Sequence, residues 1–243
     1  MKRLSPWRRP IFAKRILEVG GGHDPYAGVT HSVDKFPQDN TQRAGDMVRV
    51  SGVKFMEGDL EAIPYADEPK FDFIYVSHVL EHVHNPQKAV AEINRVAHRG
   101  YLETPSPLRE QIICSFPYEN IIDFHTLFCW SGYAANQMHV IRKSEKTVGN
   151  FCACENGKTA KRLFDLRRQK NLDVEGPMPG RSKTTHLYFK GKIELLEHED
   201  FAAACGAGFC GYREVRYIRK RLIPPFYLLS GRSRKLKAFL TQG

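Results

Sequence analysis

The stretch RILEVGGGHDPYAG, Arg15–Gly28, decides the fold. A short apolar run, interrupted by Glu18, enters three consecutive glycines, then the polar pair His23-Asp24, then Pro25. Glycines placed straight after a strand let the backbone come close to a ligand with no side chain in the way. A phosphate loop is excluded, because GxxxxGK[ST] requires a Lys followed by Ser or Thr and this turn has none. A dinucleotide fingerprint fits poorly, since the position of its third glycine falls on Pro25. It stays open beside a third class, a ligand without phosphate.

Working outward, short apolar runs alternate with helical spacing over the first 145 residues. Strands are expected at 15–19, 31–36, 53–59, 71–77 and 100–105. The run NPQKAVAEINRVAH, 85–98, is an amphipathic helix with Asn85 as cap, Pro86 at its first position, and Ala89, Ile93 and Val96 on one stripe. Apolar strands joined by helices imply a parallel sheet covered on both faces, with its ligand outside the carboxyl ends of the strands. Residues 125–130 and 137–143 are expected to form a closing antiparallel pair. A helical patch follows at 158–170, then a single strand over 185–196 and a basic tail. Two units result: a core over 1–145 and an α+β extension over 146–243 that supplies an acceptor pocket or lid.

The acids then narrow the ligand. Glu18 lies inside the glycine motif, Asp34 ends the second strand and Asp59 ends the third, with no phosphate-binding lysine in the glycine turn. S-adenosylmethionine asks for this pattern: carboxylates for ribose hydroxyls and the adenine amine, and an acid to complement a cationic sulfur. The motifs Glu18-Val19-Gly20-Gly21-Gly22, Asp34, Gly58-Asp59, Phe71-Asp72, Ser77 through Val83, and Glu92 with Arg95-Val96 occur in order. In these, residues 14–143 resemble the class I S-adenosylmethionine-dependent methyltransferases of the type-11 group. The resemblance implies an α/β fold with a Rossmann-like, seven-stranded, mostly parallel sheet and helices on both faces. It also implies methyl transfer, with cofactor roles for Glu18, Gly20, Gly22, Asp34, Asp59, Leu60 through its backbone, Ser77 and His78. Gly21 and Lys35 are counted with that set. His23-Asp24 departs from the family, in which a small residue is usual.

His78, Glu81, His82 and His84 crowd one short segment, with His78 and His82 on one helical face. Three readings stand: support for the cofactor loop, acid–base or substrate contact, and a metal. Relatives with Glu-x-x-Glu-His bind a divalent ion, but His78 occupies the first Glu position and breaks the all-oxygen preference of magnesium; a softer metal could take His78, Glu81 and His82 with His125, the least favoured of the three, and no metal is assigned. Methyl transfer to a hydroxyl benefits from a base that titrates near neutrality. His125 is the first choice and His82 the second; His139, within a strand pattern, is structural. Glu103 or Thr104 is expected to face the site.

Fifteen basic residues against one acid occupy residues 1–15 and 212–243, whereas the middle holds 26 acids against 22 bases. The net charge of +10 therefore belongs to the ends, which suit an anionic surface better than a nucleic-acid-binding core. The tail is read as a docked helix, a peripheral membrane or glycolipid contact, or, less favoured, a nucleic-acid contact. An RNA methyltransferase or non-catalytic binder is the alternative function. Six cysteines in a chain of 243 residues read as reduced thiols, not a disulfide framework; Cys152, Cys154, Cys205 and Cys210 lack zinc-ribbon spacing. With no apolar leader or membrane span, a cytoplasmic protein is expected. Analogy with type-11 members suggests a small-molecule acceptor, a saccharide or lipid-linked glycan hydroxyl.

Overall fold

The computed structural model describes residues 12–40, 45–66, 68–105, 127–131, 136–147, 184–200 and 203. Four parallel strands, β1 (Ile16–Val19), β2 (His31–Asp34), β3 (Lys54–Glu57) and β4 (Phe73–Ser77), are followed by helix α1 (Pro86–Val96) and β5 (Arg99–Pro105). β6 (Leu127–Ser131), β7 (Gln137–Arg142), β8 (Thr184–Lys190) and β9 (Glu194–His198) complete the described elements. The main sheet has the order β3-β2-β1-β4-β5-β8, parallel throughout except for β8, which runs antiparallel to β5. The order reverses direction at β1, so the switch point lies between β1 and β4, where doubly wound sheets bind their ligands.

Alternation along each strand divides its side chains between two faces. Leu17, Val19, Ile74, Val76 and Leu102 share a buried cluster with Ala89, Val90, Ile93 and Val96 of α1. Asn85 caps that helix, its Oδ1 accepting the Lys88 N–H at 2.9 Å, and Pro86 takes the first position. The helix stops at Val96, two residues short of the sequence expectation, because Phe71 N–H takes the Val96 carbonyl and Ala97 bridges to Phe71. On the other face Ile16, Phe73, Tyr75 and Tyr101 meet Tyr26 and Val29. The crossover Gly20–Thr30 from β1 to β2 contains no helix; Tyr26 stacks on Tyr75 instead, centroids 4.2 Å apart. Among the described residues, helical cover is thus found on one face, and the main sheet has six strands.

β6 and β7 do form the expected antiparallel pair, but in a second sheet of order β6-β7-β9. That sheet adds Leu127, Cys129, Met138 and Val140 to the buried cluster that α1 also joins. The single strand expected over 185–196 is two. Gly191, at φ +93, turns the chain out of the main sheet, and β9 continues in the second. Residues 184–190 therefore belong to the main sheet, although the sequence reading placed them in the extension. Among the described residues no helix is long and apolar enough to cross a membrane. The helical patch 158–170, residues 1–11 and 212–243 of the basic ends, His125 and every cysteine except the buried Cys129 lie outside the described residues.

Candidate functional site

The carboxyl ends of β1 to β5 bring the predicted residues together. Gly20 and Gly22 take left-handed φ of 72° and 51°. A Cβ on Gly20 would stand 2.2 Å from Val79 Cγ2, and one on Gly21 would stand 2.7 Å from the Glu18 carboxylate. The first glycine therefore makes room for the segment after β4, and the second lets the turn lie flat over Glu18. Glu18, 2% exposed, accepts the Tyr26 N–H with Oε1 and Oε2 at 3.0 and 3.3 Å. It holds the far limb of the glycine turn as well as lying under it.

At the next two strand ends, Asp34 Oδ1 accepts the Phe36 N–H at 3.0 Å, and Asp59 Oδ1 accepts the Glu61 N–H at 3.0 Å. Both are side-chain turns that fix the carboxylate and the loop behind it. Gly58 N–H binds the Asp34 carbonyl, so the two acids sit on adjacent, directly linked strand ends. Lys35 Nζ lies 2.7 Å from Asp59 Oδ2. Partial burial would raise the Asp59 carboxyl, but the Glu61 N–H and the Lys35 ammonium outweigh it and hold the acid below its ordinary range. Leu60 is buried beneath this edge, with its side chain in the core.

At the end of β4, Ser77 pairs in register with Glu103 of β5. His78 follows at φ 57°, with its N–H on the Glu103 carbonyl at 2.8 Å. Its ring bridges two carboxylates: Nδ1 lies 3.2 Å from Glu81 Oε1 and Nε2 3.2 Å from Glu103 Oε1. Ser77 Oγ donates to Glu103 Oε1 at 3.4 Å, and Tyr101 Oη donates to Glu103 Oε2. Burial pushes the His78 imidazole down, but the hydrogen bonds and charges of Glu103 and Glu81 prevail and raise it to about 9. With each ring nitrogen 3.2 Å from a carboxylate oxygen, His78 ties the helical turn Leu80–His82 to β5. His82 Nε2 is 4.0 Å from Glu81 Oε1, beyond hydrogen-bond range. His139 is buried in the second sheet, its Nδ1 2.9 Å from His198 Nε2, away from these strand ends.

Sequence reading missed Val79, Tyr26 and the linking role of Glu103. The i, i+2 spacing of Tyr101 and Glu103 on β5 carried a signal, because period two puts both on one face. Val79 carried none, since only the folded chain brings it against Gly20.

Residues 26–102 match the family model described as "Methyltransferase domain". This segment is a class I S-adenosylmethionine-dependent methyltransferase domain. Among curated relatives, the chain is 32% identical over 97 residues to an uncharacterised protein of Methanocaldococcus jannaschii, covering 40% of this chain and 46% of that one. It is 30% identical over 111 residues to a demethylmenaquinone methyltransferase of Renibacterium salmoninarum, covering 41% and 46%. The chain thus spans a little under half the length of these relatives. A solved N-terminal domain of EvdMO1, crystallised with S-adenosylhomocysteine and D-fucose, is 24% identical over 39% of this chain and 45% of that chain, with a TM-score of 0.31.

The donor set of this methyltransferase domain fits its cofactor. A phosphate would face Asp34 and Asp59 together, with the neighbouring lysine already paired to Asp59. Sugar hydroxyls and an amine would instead meet acceptors. The open glycine turn admits the ligand's backbone-side approach, and Asp34 and Asp59 would hold it, with Glu18 fixing the turn from beneath.

Proposed function

We propose that this protein transfers a methyl group from S-adenosylmethionine to a hydroxyl of a small-molecule acceptor, a saccharide or lipid-linked glycan. The observation that carries the cofactor half is the pair of carboxylates, Asp34 at the end of β2 and Asp59 just past β3, beside a glycine turn at positive φ that Glu18 holds from beneath. What supports the acceptor half is the wall beside Ser77. Glu103 and Tyr101 of β5, with His186 and Tyr188 of β8, place a carboxylate among aromatic rings, with Tyr101 and Tyr188 centroids 4.7 Å apart. Rings that stack on sugar faces and oxygens that accept their hydroxyls form a suitable lining for such a ligand.

When bound, S-adenosylmethionine supplies an electrophilic methyl for in-line displacement. The chain's part is to hold the acceptor oxygen on that line and to take its proton. Asp34 and Asp59 are the proposed acceptors for ribose and adenine groups, and Lys35, Leu60, Ser77 and the glycines shape the pocket around them. His78, as an imidazolium, takes no proton. His82, with 24% of its side chain exposed beside buried Glu81, is a proposed base, together with His125. The basic ends are proposed to meet an anionic membrane surface that presents the acceptor.

Isothermal calorimetry with S-adenosylhomocysteine tests the cofactor half. Micromolar binding is expected, weakened at least tenfold by D34A and by D59A. A folded protein that fails to bind, or binds equally in both variants, overturns it. Incubation of cell extracts with labelled S-adenosylmethionine, followed by identification of the labelled product, tests the acceptor.

A further inference from the structure

The end of β4 carries a strained residue whose surroundings over-determine it. His78 is one of two non-glycine residues with positive φ among those described, and such conformers persist where neighbouring contacts hold them. Glu103 grips this residue twice, its carbonyl on the His78 N–H and its Oε1 on the ring. Glu81, 1% exposed on the helical turn Leu80–His82, grips the other ring nitrogen. Ser77 and Tyr101 complete the set of donors around the Glu103 carboxylate. Three elements thereby meet through one ring: β4, the helical turn and β5.

We propose that His78 is a positioning residue for the acceptor side of the site, its ring bridging Glu81 and Glu103 so that the Glu103 carboxylate is fixed at the end of β5. The proposal rests on the methyltransferase reading for what lies opposite that carboxylate. It differs from a cofactor contact at His78, the role implied by family resemblance. It also differs from general-base chemistry, because both ring nitrogens are committed to carboxylates. The ring meets the carboxylates of Glu81 from the helical turn and Glu103 from β5; His82 lies 4.0 Å from the first, and Ser77 and Tyr101 donate to the second. The two carboxylates hold the charge on the imidazole.

Two variants separate the possibilities. H78N keeps a side chain that tolerates left-handed φ and can donate one hydrogen bond, but loses the bridge and the charge. E103Q is nearly isosteric and removes one of the two anions. Nitrogen-15 histidine NMR on the whole protein, with His78 assigned by its absence in H78N, reads the network without an acceptor. The wild-type ring is expected to titrate near 9 and that of E103Q at least one pH unit lower. Calorimetry with S-adenosylhomocysteine should give dissociation constants within threefold of wild type for both variants, while label transfer into extract acceptors falls at least tenfold. A wild-type His78 that titrates near 6.5, or transfer unchanged in both variants, overturns the proposal. A tenfold loss of S-adenosylhomocysteine affinity in the variants also overturns it, by making His78 a cofactor contact. Failure of wild type itself to bind S-adenosylhomocysteine instead sinks the methyltransferase reading, even if the His78 titration stands.

Discussion

Gly20→Ala tests the joint between the glycine turn and the segment after β4. Two costs add. Alanine at φ +72° is in the left-handed region, worth about 1–2 kcal/mol. Its Cβ would also lie 2.2 Å from Val79 Cγ2, whereas carbon contacts settle near about 3.5–4.0 Å. Relieving that overlap requires repacking of about 1–3 kcal/mol. The expected loss is about 2–5 kcal/mol, a large share of a typical domain stability of about 5–15 kcal/mol. Val79→Ala removes the clashing methyl and leaves the backbone strain. In urea unfolding, the double variant should therefore be more stable than the sum of the two singles predicts, by about 1–3 kcal/mol. Additivity within about 0.5 kcal/mol would refute the contact. A loss below about 0.5 kcal/mol for G20A alone would refute the whole account of why a glycine stands there.

Arg95 joins α1 to the loop after β3: it donates to the Ile63 and Tyr65 carbonyls at 2.9 and 2.7 Å and to both oxygens of Glu92. Glu92 in turn accepts the Ile63 N–H at 2.8 Å, so R95A should cost about 2–3 kcal/mol in urea unfolding, more than twice the loss from an exposed lysine such as K88A. His139 is buried against His198, and burial, assisted by the neighbouring histidine, lowers it to about 4. A folded pKa below the unfolded value of 6.5 means the stabilisation is complete above pH 6.5 and is lost as pH falls toward 4, by about 3 kcal/mol at most. Urea midpoints measured from pH 7.5 to 4 should show this acid limb, and H139L should flatten it; an unchanged limb excludes His139 as its source.

The parts legible in the sequence were those governed by local chemistry. Asp34 and Asp59 could be placed because strand ends are marked by where apolar runs stop, and helix α1 because its cap, proline and stripe agree. Gly191 was legible only as a residue, since its effect depends on Asn136, whose amide donates to the Lys190 carbonyl from 54 positions away. The His78 bridge required the register Ser77↔Glu103, which no spacing within either strand reveals. The missing crossover helix was hidden for a similar reason. The brevity of Gly20–Thr30 was visible, but Tyr26 could be named as the substitute cover only once Tyr75 stood under it.

The antiparallel pairing of β8 with β5 has a consequence for how the chain is made. Leu17 and His31, partners in β1 and β2, are 14 positions apart, whereas Leu102 and Leu187, partners in β5 and β8, are 85 apart. Closing the longer span costs only about 1.6 kcal/mol more in chain entropy. Synthesis is the stricter limit: at about 5–20 residues per second, β5 waits roughly 4–17 s for its neighbour to be translated. Throughout that interval the strand Arg99–Pro105 is an unpaired sheet edge on the ribosome, open to association with other nascent chains.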